Sequence, residues 1–252
     1  MTFAVTAEAY DRFMGRFSTL LAPGLADFGG VGAGQRVLDV GCGPGTLTAE
    51  LVRRVGAGSV AAVDPSEPFV AAARERQPGV DVHLAAAESL PYGDDEFDAA
   101  LAQLVVHFMA DPVAGLAEMA RVTRPGGVVA ASVWDFAGER APISVFWRAA
   151  LELDPGARAE SGLAGAGPGR LSRLLEDAGL QNVEEAELGS STEFDAFDDW
   201  WEPFRLGVGP AGGYAQSLGE AELAALRDRC RELLPPGPFT LEAVAWTARG
   251  VA

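Results

Sequence analysis

Apolar and polar positions in the first half of the chain alternate between two periods. Arg36–Val40 is a short apolar run ending at a glycine cluster, and Thr46–Val55 then sets Leu47, Leu51 and Val55 on one helical face. Val60–Val63 is a second strand-like run. It is followed by a helical stretch over Ser66–Arg76, with Ser66 placed to cap it. Val80–Leu84 alternates as a third strand and Asp98–Val106 reads as a fourth, after which Asp111 and Pro112 open a helix that reaches Thr123. Arg124–Gly127 stops that helix, and Val128–Trp134 is a fifth strand. Strands separated by amphipathic helices predict parallel βαβ units covered on both faces, hence an α/β doubly wound domain.

The second half is looser. Ile143–Leu153 reads as a helix, Glu160–Gly169 as a flexible connection, and Leu171–Ala178 as a helix stopped by Gly179. Asn182–Leu188 and Phe239–Trp246 alternate as the last two strands. Between them lie an acidic aromatic stretch, Phe194–Phe204, and a helix from Ser217 to Leu234 with Ser217 and Glu220 forming a capping box. Residues 1–252 are expected to form a single domain, with residues 1–24 as an N-terminal lid segment and residues 190–235 as an insert or cap between the last two strands.

Composition narrows the function classes. Acidic residues number 36 against 19 basic ones, a net charge of −17, and the basic residues never run beyond two in a row. Such a chain repels phosphate backbones, so neither a nucleic acid nor an anionic membrane surface is an expected partner. Ala99–Ala110, the most apolar stretch, is too short and, with Gln103 and His107 in it, too polar to span a bilayer. Cys42 and Cys230 are too few for a disulfide framework or a cysteine-rich zinc site, and no His/Asp cluster has ligand spacing, so no metal is expected. The opening residues lack the basic start and long apolar core of a signal peptide. The expectation is a soluble, cytoplasmic protein acting on a small molecule; the sequence says nothing of its oligomeric state.

The chemistry-bearing motif follows the first strand. In an open parallel sheet, ligands bind beyond the carboxyl ends of the strands at the switch point. Val37–Thr46 reads VLDVGCGPGT, where Gly41, Gly43 and Gly45 let the backbone turn sharply and approach a ligand closely. A dinucleotide fingerprint needs a glycine where Thr46 stands, which speaks against a nicotinamide-dependent oxidoreductase. Asp64 ends the second strand, where it is placed to accept hydrogen bonds from both hydroxyls of a ribose. The third and fourth strands bring Ala86–Tyr92 and Gln103 to the same edge.

These segments resemble the class I S-adenosylmethionine-dependent methyltransferases, in particular the small-molecule branch of the ubiquinone/menaquinone-biosynthesis methyltransferases. The resemblance rests on VLDVGCGPG (37–45), AVDPS (62–66), AESLPYGDDEFDAAL (87–101) and EMARVTRPGG (118–127), in that order, with YDRFMGRFS (10–18) ahead of them. It implies a Rossmann-like seven-stranded sheet, mostly parallel with the last strand antiparallel, and helical lid elements. It implies S-adenosylmethionine as methyl donor, held by the Gly41–Gly45 loop with Cys42 in it, by Asp39 at the loop or the amino group, and by Asp64 and Pro65 at the ribose. Ala87 and Glu88 are implied beside the adenine, Gln103 beside the methionine moiety, and Tyr10 and Arg16 over the carboxylate, which a guanidinium fork fits bidentately. Ala86 stands where the family often carries an aspartate that bonds the adenine amino group, which leaves Glu88 or backbone and apolar packing to hold the base.

Each residue also has a structural alternative. Asp64-Pro65-Ser66 is equally a turn and helix cap, Asp39 a buried acid bonded to loop amides, and Cys42 a small filler in a tight turn. Glu88 and Arg16 are alternatively surface residues, and Gln103 within an apolar strand must find partners somewhere. His107, near the reaction edge, is the candidate general base, with a packing role as its alternative. Trp134, Trp200, Trp201 and Phe204 are candidates to line the acceptor pocket, although adjacent aromatics in an insert also anchor it to a core. A non-catalytic cofactor-binding protein is the remaining alternative, because a fold and a cofactor motif do not establish turnover.

Overall fold

The computed structural model describes residues 6–252; the first five residues of the expected N-terminal lid lie outside the described residues. Strands β1 (Val37–Val40) and β2 (Val60–Asp64) are buried at every position, as strands covered on both faces must be. β3 (Asp81–Leu84) pairs with β2, β4 (Phe97–Gln103) with β1, and β5 (Thr123–Trp134) with β4, all parallel. β6 (Gln181–Phe194) and β7 (Phe239–Val251) complete the sheet, with β7 antiparallel to both its neighbours, β5 and β6. The sheet has the expected seven strands with the last one antiparallel; their order is β3-β2-β1-β4-β5-β7-β6, and it reverses at β1.

Alternation along the strands divides the core. Val37, Leu101 and Ala130 meet the helices α2 (Arg16–Phe28) and α3 (Thr46–Val55) through Leu25, Leu47 and Leu51. Leu38, Ala100 and Val129 belong to the larger core, which includes Leu116 and Met119 of α5 (Pro112–Val122) and Leu171 and Leu175 of α7 (Arg170–Asp177). α4 (Glu67–Arg76) packs Val70 and Ala73 against Ala62 and Val82. The N-terminal segment consists of α1 (Ala7–Tyr10), a widened π turn over Asp11–Gly15, and α2. Asp11 pairs with Arg76 of α4 at 2.7 Å, and Arg54 of α3 donates to Pro23 O at 2.9 Å and to Asp27 at 2.7 Å. The segment is thereby fixed at both ends across the sheet.

The late region is more ordered than its sequence suggests. α6 (Ser144–Leu153) follows β5, and α8 (Phe197–Trp201), α9 (Gly209–Ser217) and α10 (Glu220–Leu233) lie between β6 and β7. The expected helix from Ser217 is two helices, because the Ser217 hydroxyl donates to Tyr214 O and closes α9, while Gly219 opens α10. Ser66 occupies the N-cap of α4 with no side-chain capping bond there. β6 runs on to Phe194 rather than ending at Leu188, since β7 pairs with it to that residue. Glu160, expected in a flexible connection, begins a short 3-10 turn, Glu160–Gly162, and is buried.

Gly41 carries the tightest local demand. Its φ is +72°, and a Cβ there would lie 2.5 Å from both methyl carbons of Val105. Gly41→Ala therefore combines a left-handed backbone with an overpacked contact, and it should lower unfolding stability by about 2–3 kcal/mol. Urea titration of the variant checks this; loss of under about 0.5 kcal/mol would contradict the packing described.

Candidate active site

The carboxyl ends of β1, β2, β4 and β5 open onto one cleft of about 240 Å³. The turn after β1 is held by its own amides: Gly41 and Cys42 donate to Val63 O at 2.8 and 2.9 Å. Gly43 N–H donates to Asp64 Oδ2 at 2.9 Å, and Ser66 N–H donates to Oδ1 of the same carboxylate at 2.8 Å. Asp64 thus joins the glycine turn to the start of α4. Each of its oxygens uses one hydrogen bond, which leaves acceptor capacity at the cleft wall. Burial raises its carboxyl pKa against the opposing effect of the two amides. Beside it, Gly43 (φ +53°) has no heavy atom of the described residues within 4 Å of where a Cβ would stand, so the backbone itself presents an open cradle.

The other expected cofactor residues divide into two groups. Tyr10, Gly41, Gly43, Asp64, Pro65, Ala87, Glu88 and Gln103 line the cleft. Gln103 donates from Nε2 to Ser18 O at 3.0 Å, while its buried Oε1 has no partner among the described residues. Tyr10 packs edge-on to Phe69 at 5.5 Å, and burial pushes its phenol up to about 12. Glu88 accepts from the amides of Ala110 (2.7 Å) and Asp111 (3.2 Å), so its carboxylate fixes the loop after β4.

Asp39, Cys42, Gly45 and Arg16 are not in the wall. Asp39 lies inside the sheet, where Oδ2 accepts from the Thr48 hydroxyl at 2.6 Å and Oδ1 is unpartnered among the described residues. Burial, with Asp64 as a nearby like charge, pushes its carboxyl up to about 7. Cys42 faces the other way, among Ala62, Val70, Ala73 and Val82. Gly45 (φ +99°) opens α3 against Ala73. Arg16 stands over the Phe194 ring at 4.7 Å and lines a separate small hollow, because the π turn gives the cleft side to Tyr10, Phe13 and Met14.

Of the four aromatics considered for an acceptor pocket, Trp134 lines this cleft, whereas Trp200, Trp201 and Phe204 do not. Phe204 stacks flat on Phe146 of α6 at 4.5 Å, and Trp200 donates to Pro142 O at 3.3 Å, so these rings anchor the insert to the core. The cleft's aromatic surface comes instead from Phe13, Phe69, Phe108 and Phe136, with Ile143 and Val208–Ala211 beside them. Phe13 also packs edge-on to Phe204 at 5.1 Å, which joins the N-terminal segment to the insert.

His107 lies in a short 3-10 turn after β4, its ring 3.9 Å from Phe108 and 5.9 Å from Phe136. Burial lowers its pKa to about 3, so the imidazole is uncharged at neutral pH and a weak base. The wall also contains Glu160, which sequence reasoning missed. It is 4% exposed, and Oε2 accepts from Trp147 Nε1 at 2.6 Å. Burial pushes its carboxyl up to about 7. An isolated acid among alanines and glycines carries no periodic signal, so only the fold reveals its position.

Comparison with known proteins agrees with this geometry. Residues 38–131 match the family model described as a methyltransferase domain. A demethylmenaquinone methyltransferase of Mycobacterium sp. is 45% identical over 100 residues, 39% of this chain and 41% of that protein. A ubiquinone/menaquinone biosynthesis C-methyltransferase of Bdellovibrio bacteriovorus is 37% identical over 109 residues, 42% of this chain and 46% of that protein. The chain therefore spans under half the length of either relative. A solved SAM-dependent methyltransferase from Aquifex aeolicus matches with a TM-score of 0.52 and 25% identity, over 66% of this chain and 82% of that one.

The buried Asp39 carboxyl makes stability depend on pH with a defined sign. Its folded pKa, about 7, exceeds the ordinary 3.8, so the folded state binds the extra proton between those values. Asp39's contribution to stability therefore falls as pH rises from about 4 to about 7. Asp39→Asn removes this proton, and its stability relative to the parent should rise across that window. Urea midpoints at three pH values check this; a constant difference between the two proteins would refute it.

Proposed function

We propose that this chain, which carries a class I methyltransferase domain, transfers the methyl group of S-adenosylmethionine to a small-molecule acceptor. The observation that carries the reading is the Asp64 clamp beside the open Gly43 backbone, at the switch point of the sheet. Asp64, Asp39 and Glu160 are all buried at or beneath this cleft, and none has a basic side chain paired with it among the described residues. A buried carboxylate without a counter-charge favours a ligand that brings positive charge, and S-adenosylmethionine carries a sulfonium.

The bound donor supplies a methyl group already activated by the positive sulfur. The protein's task is then to hold, orient and exclude water. Asp64 would accept the two ribose hydroxyls with the acceptor capacity its amide bonds leave. Gly41 and Gly43 would let the methionine portion lie against the backbone. Ala87 and Pro65 with Phe69 would enclose the adenine, and Glu88 would act on it indirectly by fixing the loop of Ala110. Gln103 Oε1, unpartnered in the wall, suits the donor's ammonium group. Tyr10, Phe13 and Met14 cover the cleft from the N-terminal segment.

The acceptor side lies towards β5, where Trp134, Phe136 and Ile143 present an apolar surface. His107 contributes a neutral ring to that wall. Among the described residues no helix is long and apolar enough to cross a membrane. Cys42 and Cys230 are both buried free thiols, which fits a reducing compartment, and the cytoplasm is the location we assign.

Calorimetric titration with S-adenosylhomocysteine tests the reading. Asp64→Ala should weaken binding at least tenfold, equivalent to the ~1.5–3 kcal/mol of hydrogen bonds to a charged acceptor. Arg16→Ala, outside the cleft, should leave the affinity within about twofold. An unchanged affinity in Asp64→Ala would remove the ribose assignment, and absence of binding to the parent protein would remove the reading itself.

A further inference from the structure

Three buried carboxyl groups, Asp39, Asp64 and Glu160, lie in or beneath the cleft among the described residues, and their places in the sheet separate their roles. Asp64 ends β2 and is bonded to two amides; Asp39 is enclosed beneath the turn by Thr48. Glu160 stands on the opposite side, beyond β5. Its turn leads into a stretch that the bond from Ala137 N–H to Ala166 O, 2.8 Å, ties to the end of that strand. A carboxylate has capacity for about four hydrogen bonds. Glu160 makes one, from Trp147 Nε1 to Oε2, and Oε1 has no partner among the described residues. Yet the side chain is 4% exposed and lines the same cleft as Phe136, Ile143, Trp134 and Val208. Oε1 therefore keeps its acceptor capacity at the cleft wall, where a ligand's donor can complete it.

We propose that Glu160 is the acceptor-site base: its carboxylate receives the proton of a hydroxyl on an uncharged, largely apolar acceptor. The inference rests on the methyltransfer reading and adds to it the substrate class and the proton's destination. The acceptor oxygen forms its bond to the methyl carbon as the methyl–sulfur bond breaks. That bond's electron pair goes to sulfur, which becomes a neutral thioether, and the hydroxyl proton goes to Glu160. Charge balances at every stage: the sulfonium and the carboxylate cancel beforehand, and thioether, ether and carboxylic acid are all neutral afterwards. A cationic or an anionic acceptor would instead leave a net charge in a cleft walled by aromatic and aliphatic side chains, at a large desolvation cost. Burial pushes the Glu160 carboxyl up to about 7, which matches it to hold a proton near neutral pH, whereas His107, lowered to about 3, is too weak a base to keep one.

The test uses the whole protein, with calorimetry first showing whether S-adenosylmethionine and S-adenosylhomocysteine bind. The carboxyl resonance of Glu160, in protein isotope-labelled at glutamate and identified by its absence in Glu160→Gln, is then titrated with each ligand. The two ligands differ by one methyl and one positive charge. The titration midpoint with S-adenosylmethionine should be lower than with S-adenosylhomocysteine by at least about one pH unit, as for a carboxylate near an added cation. Equal midpoints with both ligands bound would overturn the inference and leave the methyltransfer reading standing; absence of binding by either ligand would overturn the reading. A second arm uses the unaltered protein saturated with S-adenosylhomocysteine, with tryptophan fluorescence reporting binding of naphthol and of its methyl ether. Naphthol should bind at least tenfold more tightly. Equal affinities, or no saturable binding of naphthol, would overturn the hydroxyl-acceptor class.

Discussion

One buried carboxylate sets the geometry on which the rest of the cleft depends. Asp64 accepts from Gly43 N–H on the turn after β1 and from Ser66 N–H at the start of α4. Those two amides lie on separate βα connections, so a single side chain fixes the spacing of both. The turn can reach Asp64 only because Gly41 and Gly43 adopt positive φ, and because Gly41 has no side chain to meet Val105. The polypeptide therefore closes the floor of the cleft with backbone rather than side chains, which leaves room for a ligand at the switch point of the sheet.

The charges of the molecule are sorted to the same end. Several of its arginines pair with acids outside the cleft, as in Arg121 with Glu118 and Asp94, or Arg140 with Glu187 and the buried Asp135. Asp39, Asp64 and Glu160 receive hydroxyl, amide and indole donors instead, none of them charged. Neutral donors soften the burial of a carboxylate without cancelling its charge, so each pKa stays raised. The interior is prepared for positive charge that the chain does not supply. A net charge of −17 extends the same preference to the surrounding field.

Much of this was legible in the sequence because it is local. The strand periods, the glycine turn and Asp64 each depend on a few neighbouring residues, and the seven-stranded, mostly parallel sheet follows from the βαβ pattern and the resemblance. The departures share a different cause. Arg16 leaves the cleft because a π turn changes which side of the N-terminal segment faces inward, and no propensity marks such a turn. Trp201 and Phe204 serve as an anchor because Phe146, more than fifty residues earlier, offers them a ring to pack on, and Trp200 joins them through Phe204 and Pro142 O. Glu160 becomes a wall residue only once Trp147 supplies its indole N–H and the connection folds back along β5. A turn that no local preference marks decides the first, and contacts between separate elements decide the other two.

The anchoring role of the insert aromatics also bears on how the cleft is covered. Phe13 touches Phe204, Phe204 lies flat on Phe146, and Phe146 packs edge-on to Trp147, which holds Glu160. The chain of rings runs without a break from the N-terminal segment, through the insert and α6, to the Glu160 side of the cleft. Well-packed aromatic contacts resist displacement because each removes a large apolar area from water. The N-terminal segment is further tied by Asp11 to Arg76 and by Arg54 to the last turns of α2. A cover built in this way is a wall shared with the core, so the position of Glu160 is set by the same packing that closes the cleft over Tyr10 and Phe13. The two sides of the cleft are then held by one aromatic scaffold.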